Sequence, residues 1–128
     1  MKDSILLTKS KAFALRIVRL YKYLRDRKES VIAKQLLRSG TSIGANLAES
    51  RYAQSKFDFA SKLQIALKEA AETEYWLELL RDSELVESSS AFNSLCTDCT
   101  ELLKLLTASV KTAKTKKQPP CRRRGNIL

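Results

Sequence analysis

Apolar side chains recur every three or four residues through most of this sequence, in four segments separated by short polar stretches. This period is typical of amphipathic α-helices, in which one face packs against a core. The first segment runs from an N-cap at Ser10 to about Lys28, and the second from a cap at Ser30 to about Ala53. Their predicted core positions are Phe13, Ile17, Leu20, Tyr21 and Leu24, then Ala33, Leu36, Gly40, Ile43 and Leu47.

The third segment, about residues 56–82, begins after Ser55, with Asp58 three positions later as in a capping box. The fourth follows the cap candidates at residues 88–90 and ends at about Ala113. Short connections between four helices predict an all-α fold, an antiparallel up-and-down four-helix bundle over residues 1–113. Residues 114–128 are basic, contain a Pro pair and show no periodic apolar face, so a disordered basic tail is predicted there.

Two glycines, Gly40 and Gly44, lie inside the second predicted helix. Each lowers helix stability by roughly 1 kcal/mol relative to alanine, so a compensating contact is expected. We predict that another helix backbone approaches closely here. A phosphate-binding loop is the weaker interpretation, because no strand precedes these glycines.

The third predicted helix is apolar on two sides. Phe59, Leu63, Leu67, Ala70 and Leu77 cluster on one side in a helical projection, while Ile65, Trp76 and Leu79 fall nearly opposite. Such a helix needs two partners, so we predict an oligomer interface on its second face. This interface comprises Ile65, Glu69, Glu72, Trp76 and Leu79. The alternative is a wide core within one subunit.

Charge is unevenly distributed along the chain. The sequence holds 24 Lys and Arg against 14 Asp and Glu, a net charge of +10. Both ends are basic, whereas residues 56–87 are acidic. Such polarity suits a polyanionic partner, although many proteins this basic bind no nucleic acid.

The candidate nucleic-acid-binding residues are basic and lie in three places. They are Lys11, Arg16, Arg19, Lys22 and Arg25 in the first helix, Arg38 in the second, and Arg122, Arg123 and Arg124 in the tail. A polar stripe on the second helix comprises Gln35, Arg38, Ser42, Asn46 and Glu49. The stripe is interpreted either as an ordinary solvated face or as a binding surface, since arginine and amide groups suit phosphates and base edges.

Catalysis is not expected from this composition. The chain has no His and shows no Ser or Cys nucleophile with an evident base. Cys96 and Cys99 have the spacing of half a zinc site, but no second pair completes it, so they and Cys121 are interpreted as reduced thiols. No metal or cofactor is predicted, and no apolar run is long enough to span a membrane, so a cytoplasmic protein is expected.

Three sequence stretches resemble a known family. Residues 35–39 read Gln-Leu-Leu-Arg-Ser, residues 42–49 read Ser-Ile-Gly-Ala-Asn-Leu-Ala-Glu, and residues 68–77 read Lys-Glu-Ala-Ala-Glu-Thr-Glu-Tyr-Trp-Leu. Together with Asp58-Phe59 and residues 62–66, they are similar to the four-helix-bundle proteins encoded in 23S rRNA intervening sequences. The resemblance implies a ring-like homopentamer, related to accessory proteins of diversity-generating retroelements that bind nucleic acid.

The function predicted from these features is a non-catalytic homo-oligomer that binds structured RNA or DNA, chiefly through phosphate contacts. Backbone binding is favoured over base stacking, because no aromatic-rich basic surface is evident in the sequence. The alternative is a protein–protein scaffold or adaptor whose basic surface docks a protein partner.

Overall fold

The computed structural model describes the backbone of residues 2–117 and the side chains of residues 5–114. This part of the chain contains four α-helices and no strand, which confirms the predicted all-α class. The helices are α1 (Lys2–Asp26), α2 (Ser30–Ser50), α3 (Lys56–Asp82) and α4 (Ser90–Lys117). Helix α1 packs against α2, α2 against α3, α3 against α4, and α4 against α1.

Serine caps begin α3 and α4, as predicted. Ser55 Oγ accepts a hydrogen bond from the backbone N–H of Asp58 at 3.0 Å. The Asp58 carboxylate accepts in turn from the N–H of Gln54 at 3.1 Å. Before α4, Ser89 Oγ accepts from the N–H of Phe92 at 3.1 Å. These contacts satisfy backbone donors that the first helical turn leaves without partners.

The start of α1 was predicted incorrectly. Ser10 is not an N-cap but a buried residue inside α1, where its hydroxyl donates to the Leu7 carbonyl at 3.0 Å. The helix extends upstream because Leu6 continues its buried face. Ser30 is likewise the first residue of α2, and Glu29 before it makes no side-chain capping bond.

Two predicted helix ends also differ. Helix α2 ends at Ser50 rather than Ala53. Helix α4 continues past Ala113 to Lys117, so the predicted boundary between the helical domain and the tail moves toward the C-terminus. The predicted tail residues Cys121, Arg122, Arg123 and Arg124 lie outside the described residues.

The turns after α1 and α3 use the left-handed backbone conformation without glycine. Lys28 has φ 66° and Glu84 has φ 62°. Each residue lies just before a backbone hydrogen bond that reaches back across the helix end. The Glu29 N–H donates to the Leu24 carbonyl at 2.9 Å, and the Leu85 N–H donates to the Leu80 carbonyl at 3.2 Å. These bonds turn the chain sharply, so residues 27–29 and 83–89 suffice to connect the helices.

The predicted close contact at the two glycines is confirmed. A Cβ placed on Gly40 would lie 2.9 Å from both Cγ1 and Cγ2 of Ile17 in α1. At Gly44 it would lie 3.2 Å from Ser10 Oγ and 3.7 Å from the Ser10 carbonyl carbon. Glycine therefore brings α2 against α1, which explains its place inside a helix despite its low propensity.

Large apolar side chains from all four helices fill the core. Phe13, Ile17, Leu24, Leu36, Ile43, Leu77, Leu80, Leu102 and Leu106 are almost entirely buried. On α3 the buried face includes Leu63, Ala70 and Leu77, as predicted, whereas Phe59 and Leu67 are only half-buried. Because each helix packs on one face, the outer faces of α1 and α3 are left at the surface of the four-helix fold.

Candidate nucleic-acid and assembly surfaces

The outer face of α1 carries exposed basic side chains. Lys11, Arg19 and Lys22 are exposed, and their spacing places them on one side of the helix. Within the described side chains, none of the three forms an ion pair with a carboxylate at 4.0 Å or less. Their charges are therefore directed to solvent. We call these three residues the α1 basic face.

Two other residues of the predicted basic set have local or long-range partners in the chain. Arg25 lies 3.3 Å from the Asp26 carboxylate and stacks on Tyr21, with 5.9 Å to the ring centroid. Arg16 forms an ion pair with Asp98 of α4 at 2.6 Å. Arg16 also donates to Ser94 Oγ at 3.2 Å and to the Ala91 carbonyl at 2.8 Å. Arg16 therefore ties α1 to α4, and its predicted contact with nucleic acid stays a prediction.

Arg38 bridges α2 to two carboxylates of α3. Its guanidinium lies 3.2 Å from Glu69 Oε1 and also donates to Glu72 Oε2. The Trp76 indole N–H donates to the same Glu72 oxygen at 2.9 Å. This arrangement unites Arg38, predicted to contact nucleic acid, with three residues of the predicted oligomer interface. We call these four residues the Arg38 cluster.

The polar stripe of α2 lies along the seam with α3. Glu49, the last residue of the stripe, forms an ion pair with Lys62 of α3 at 3.2 Å, and Arg38 pairs with α3 nearer the other end. Between them, Ser42 Oγ donates to the Arg38 carbonyl at 2.6 Å, and the Asn46 amide donates to the Ser42 carbonyl at 2.9 Å. Gln35 is exposed. The stripe therefore contributes helix–helix contacts rather than a uniformly solvated face.

The outer face of α3 presents apolar side chains, though not quite the predicted ones. Ile65 is exposed, as predicted for an interface residue. Trp76 instead is half-buried and packs against the core, and Leu79 is half-buried. Tyr75, which is not among the predicted interface residues, is 56% exposed and meets Trp76 edge to face at 5.2 Å between ring centroids. Ile65 and Tyr75 form what we call the α3 apolar face.

Comparison with known protein families shows to which family the chain belongs. A family model described as 23S rRNA-intervening sequence protein matches residues 2–108. The chain belongs to this family. The Arg38 cluster, the polar stripe and the α3 apolar face all lie within the matched region.

A solved structure supports membership in the 23S rRNA-intervening sequence protein family. The crystal structure of a protein of unknown function from the S23 ribosomal protein family of Bacteroides thetaiotaomicron VPI-5482 is similar to this chain, with 54% sequence identity and a TM-score of 0.81. The similarity covers 87% of this chain and 99% of that one. A search of curated proteins gives no match.

Cys96 and Cys99 of this 23S rRNA-intervening sequence protein are free thiols in α4. Cys99 is buried, as predicted, with its Sγ 3.6 Å from the Ala70 carbonyl. Burial raises the pKa of Cys99 to about 12 and also raises that of Cys96. Neither is therefore an activated nucleophile near neutral pH. Among the described side chains, no group of three His, Cys, Asp or Glu residues is arranged to hold a metal ion.

No helix within residues 2–117 has both the length and the apolar character that crossing a bilayer requires.

The Arg38 cluster links the stability of the fold to pH through the carboxyl group of Glu72. The hydrogen bond from Arg38 lowers the pKa of the Glu72 carboxyl, and the bond from Trp76 acts in the same direction. A carboxylate with a lower pKa in the folded state stabilises the fold above its unfolded pKa. This contribution is lost as pH falls through the folded pKa.

Trp76, the one tryptophan of the chain, reports this titration because it bonds directly to Glu72. We expect its fluorescence to change at a pH below the ordinary glutamate pKa of about 4.3. In Arg38→Gln the midpoint should move to higher pH, whereas Arg25→Gln, which removes a partner of Asp26, should leave it in place. A midpoint that Arg38→Gln does not change would show that this pair does not set the Glu72 pKa.

Proposed function

We propose that this protein is a non-catalytic, cytoplasmic homo-oligomer that binds structured RNA or DNA through the α1 basic face. The observation that carries the proposal is a contrast within the described part of the predicted basic set. Lys11, Arg19 and Lys22 are exposed without an ion pair among the described side chains, whereas Arg16 and Arg38 pair with carboxylates. Cations on one helix face, available to solvent, suit the phosphates of a nucleic-acid backbone.

The proposed architecture is an antiparallel up-and-down four-helix bundle that assembles into a ring, with five subunits as the family resemblance implies. The short connections at residues 27–29, 51–55 and 83–89 support the topology, since they favour antiparallel neighbours. Exposure of Ile65 and Tyr75 on α3 supports the assembly. A ring would repeat the α1 basic face around its circumference, so that a weak patch gains from multivalent binding.

A scaffold or adaptor that docks a protein partner is the second candidate. The exposed side chains of Tyr52 and Phe57, near the connection between α2 and α3, favour it. Aromatic side chains are enriched in protein interfaces, and these two lie outside the α3 apolar face. In this case the basic face would contact acidic protein side chains instead of phosphates.

Reversing charge on the α1 basic face separates the two candidates. For the variant Lys11→Glu, Arg19→Glu, Lys22→Glu, we expect binding to a structured ribosomal RNA fragment to weaken by more than about tenfold, with a shallower salt dependence. The matched control reverses three exposed lysines elsewhere, Lys34, Lys56 and Lys104, and has the same net charge. Equal loss in both variants would show that only net charge matters, and no loss in either would favour the scaffold.

A further inference from the structure

A groove with an apolar floor lies beside the α1 basic face. It is bounded by the second half of α1, residues 86–89 and the first turns of α4, and its volume is about 360 Å³. Leu20, Val86, Phe92 and Leu95 line its floor, and the last three are at least nine-tenths buried. The volume falls within the range of about 300–1,000 Å³ typical of small-molecule pockets. A flat apolar group the size of a nucleobase therefore has room to enter.

The rim of the groove carries an aromatic ring and basic groups. Arg19 and Tyr23 line it, and the Arg27 guanidinium stacks on Tyr23 with 4.4 Å to the ring centroid. Among the described side chains, neither Arg19 nor Arg27 has an ion pair with a carboxylate. The fold thus places an aromatic ring, two available guanidinium groups and an apolar floor side by side. This combination is found in proteins that stack single-stranded bases while holding their phosphates.

Glu87 makes the two ends of the groove unequal. Glu87 is exposed and lines the groove from the connection before α4. It would repel a phosphate and accept a hydrogen bond from a base. Phosphate is therefore favoured on the α1 side, near Arg19 and Arg27, and a base toward the apolar floor.

We infer that this groove binds one unpaired nucleotide, with its base on the apolar floor beside Tyr23 and its phosphate at Arg19 and Arg27. The inference rests on the proposed function and adds to it a specific preference for unpaired positions. Duplex regions would still contact the α1 basic face through phosphates, but only a bulged or looped base can leave its stack and enter the groove. Residues 19–27 and 86–95 are far apart in the chain, so the sequence shows no aromatic-rich basic surface and favours backbone contacts over base stacking.

The experiment uses the full-length protein and a hairpin RNA with one bulged 2-aminopurine. A fully paired hairpin of the same length and a bulged DNA hairpin provide the comparison arms. We expect tighter binding of the bulged RNA and a change in 2-aminopurine fluorescence. Tyr23→Ala should weaken binding of the bulged hairpin by about tenfold, in line with the loss of one stacked base.

A second variant tests the groove without removing the ring. Ala91 lines the groove with an exposed side chain, so Ala91→Trp should fill it. We expect Ala91→Trp to abolish the preference for the bulge while leaving the fully paired hairpin bound. The control Lys11→Ala removes a cation that does not line the groove and should weaken both hairpins alike. Circular dichroism checks that each variant keeps its helix content.

The outcomes distinguish this inference from the proposed function. If Tyr23→Ala and Ala91→Trp leave the bulged hairpin bound as tightly as wild type, the groove inference is wrong while nucleic-acid binding stands. Equal binding of bulged and paired hairpins by wild type also overturns it. If wild type binds no hairpin at all, the proposed function itself fails. Equal preference for the bulged RNA and the bulged DNA would support recognition of the nucleotide without its 2′-hydroxyl.

Discussion

Gly40→Leu is expected to lower the free energy of unfolding by about 3 kcal/mol, a large part of the stability of a domain this size. Even a Cβ at this position would lie 2.9 Å from two γ-carbons of Ile17, which is completely buried. Those atoms belong to a β-branched side chain with little rotameric freedom, so the helices must separate to accept a leucine. The higher helix propensity of leucine, less than about 1 kcal/mol better than glycine, cannot offset the clash.

Urea denaturation followed by circular dichroism, at one protein concentration, measures this effect. Ala45→Leu is the matched control, because Ala45 is exposed on the same helix. Its midpoint should stay close to that of wild type. In Gly40→Ala combined with Ile17→Ala, the loss should be smaller than the sum of the two single losses, since the clashing γ-carbons are gone. Equal midpoints for Gly40→Leu and Ala45→Leu would refute the close contact between α1 and α2.

The second large effect concerns assembly. Ile65→Glu combined with Tyr75→Lys should convert the proposed ring to a monomer of 14.5 kDa, with a loss of more than about 100-fold in association affinity. Each new charge has an opposite charge three residues along the helix, Lys68 for position 65 and Glu78 for position 75. The isolated subunit should therefore keep its helices.

Light scattering beside circular dichroism gives the result. Val31→Glu is the control, since Val31 is 78% exposed and belongs to α2 rather than to the α3 apolar face. It should leave the mass unchanged. Trp76→Glu is a poor test of assembly, because Trp76 packs against the core. A glutamate there would also add a third carboxylate to those of Glu69 and Glu72. A wild-type mass in the Ile65 and Tyr75 double variant, or a monomeric wild type, would contradict the proposed interface.

Local signals made much of the fold predictable. Helix α3 begins where the pair Ser55 and Asp58 indicates, and the glycines of α2 correctly indicated a close neighbour. Ser10 misled because a serine upstream of an apolar helix resembles a cap. In the structure Ser10 is buried and faces Gly44, at a contact between α1 and α2 that requires a small side chain. That requirement comes from packing between helices, which a local pattern does not contain.

The candidate surfaces were less predictable, since they depend on contacts between distant residues. Arg16 and Asp98 are far apart in sequence, as are Arg38 and Glu72, and no spacing rule indicates that either pair meets. Charge and helical spacing therefore placed Arg16 with Lys11 in the basic set of the first helix, and made Arg38 a separate nucleic-acid-binding candidate in the second. For Trp76 and Tyr75, one step around a helix is about 100°, so a modest rotation of α3 against α2 decides which ring packs and which is exposed.

A salt titration of binding to structured ribosomal RNA, duplex DNA and heparin tests the proposed function most directly. It compares the full-length protein with a version ending at Lys117, where the described part of α4 ends. The proposal predicts that the shortened protein still prefers structured RNA at physiological salt. The slope of log affinity against log salt concentration should have a magnitude of about 0.7 to 0.9 for each phosphate contact made by the α1 basic face. Equal binding of all three polyanions, or binding that disappears with the tail, would contradict it.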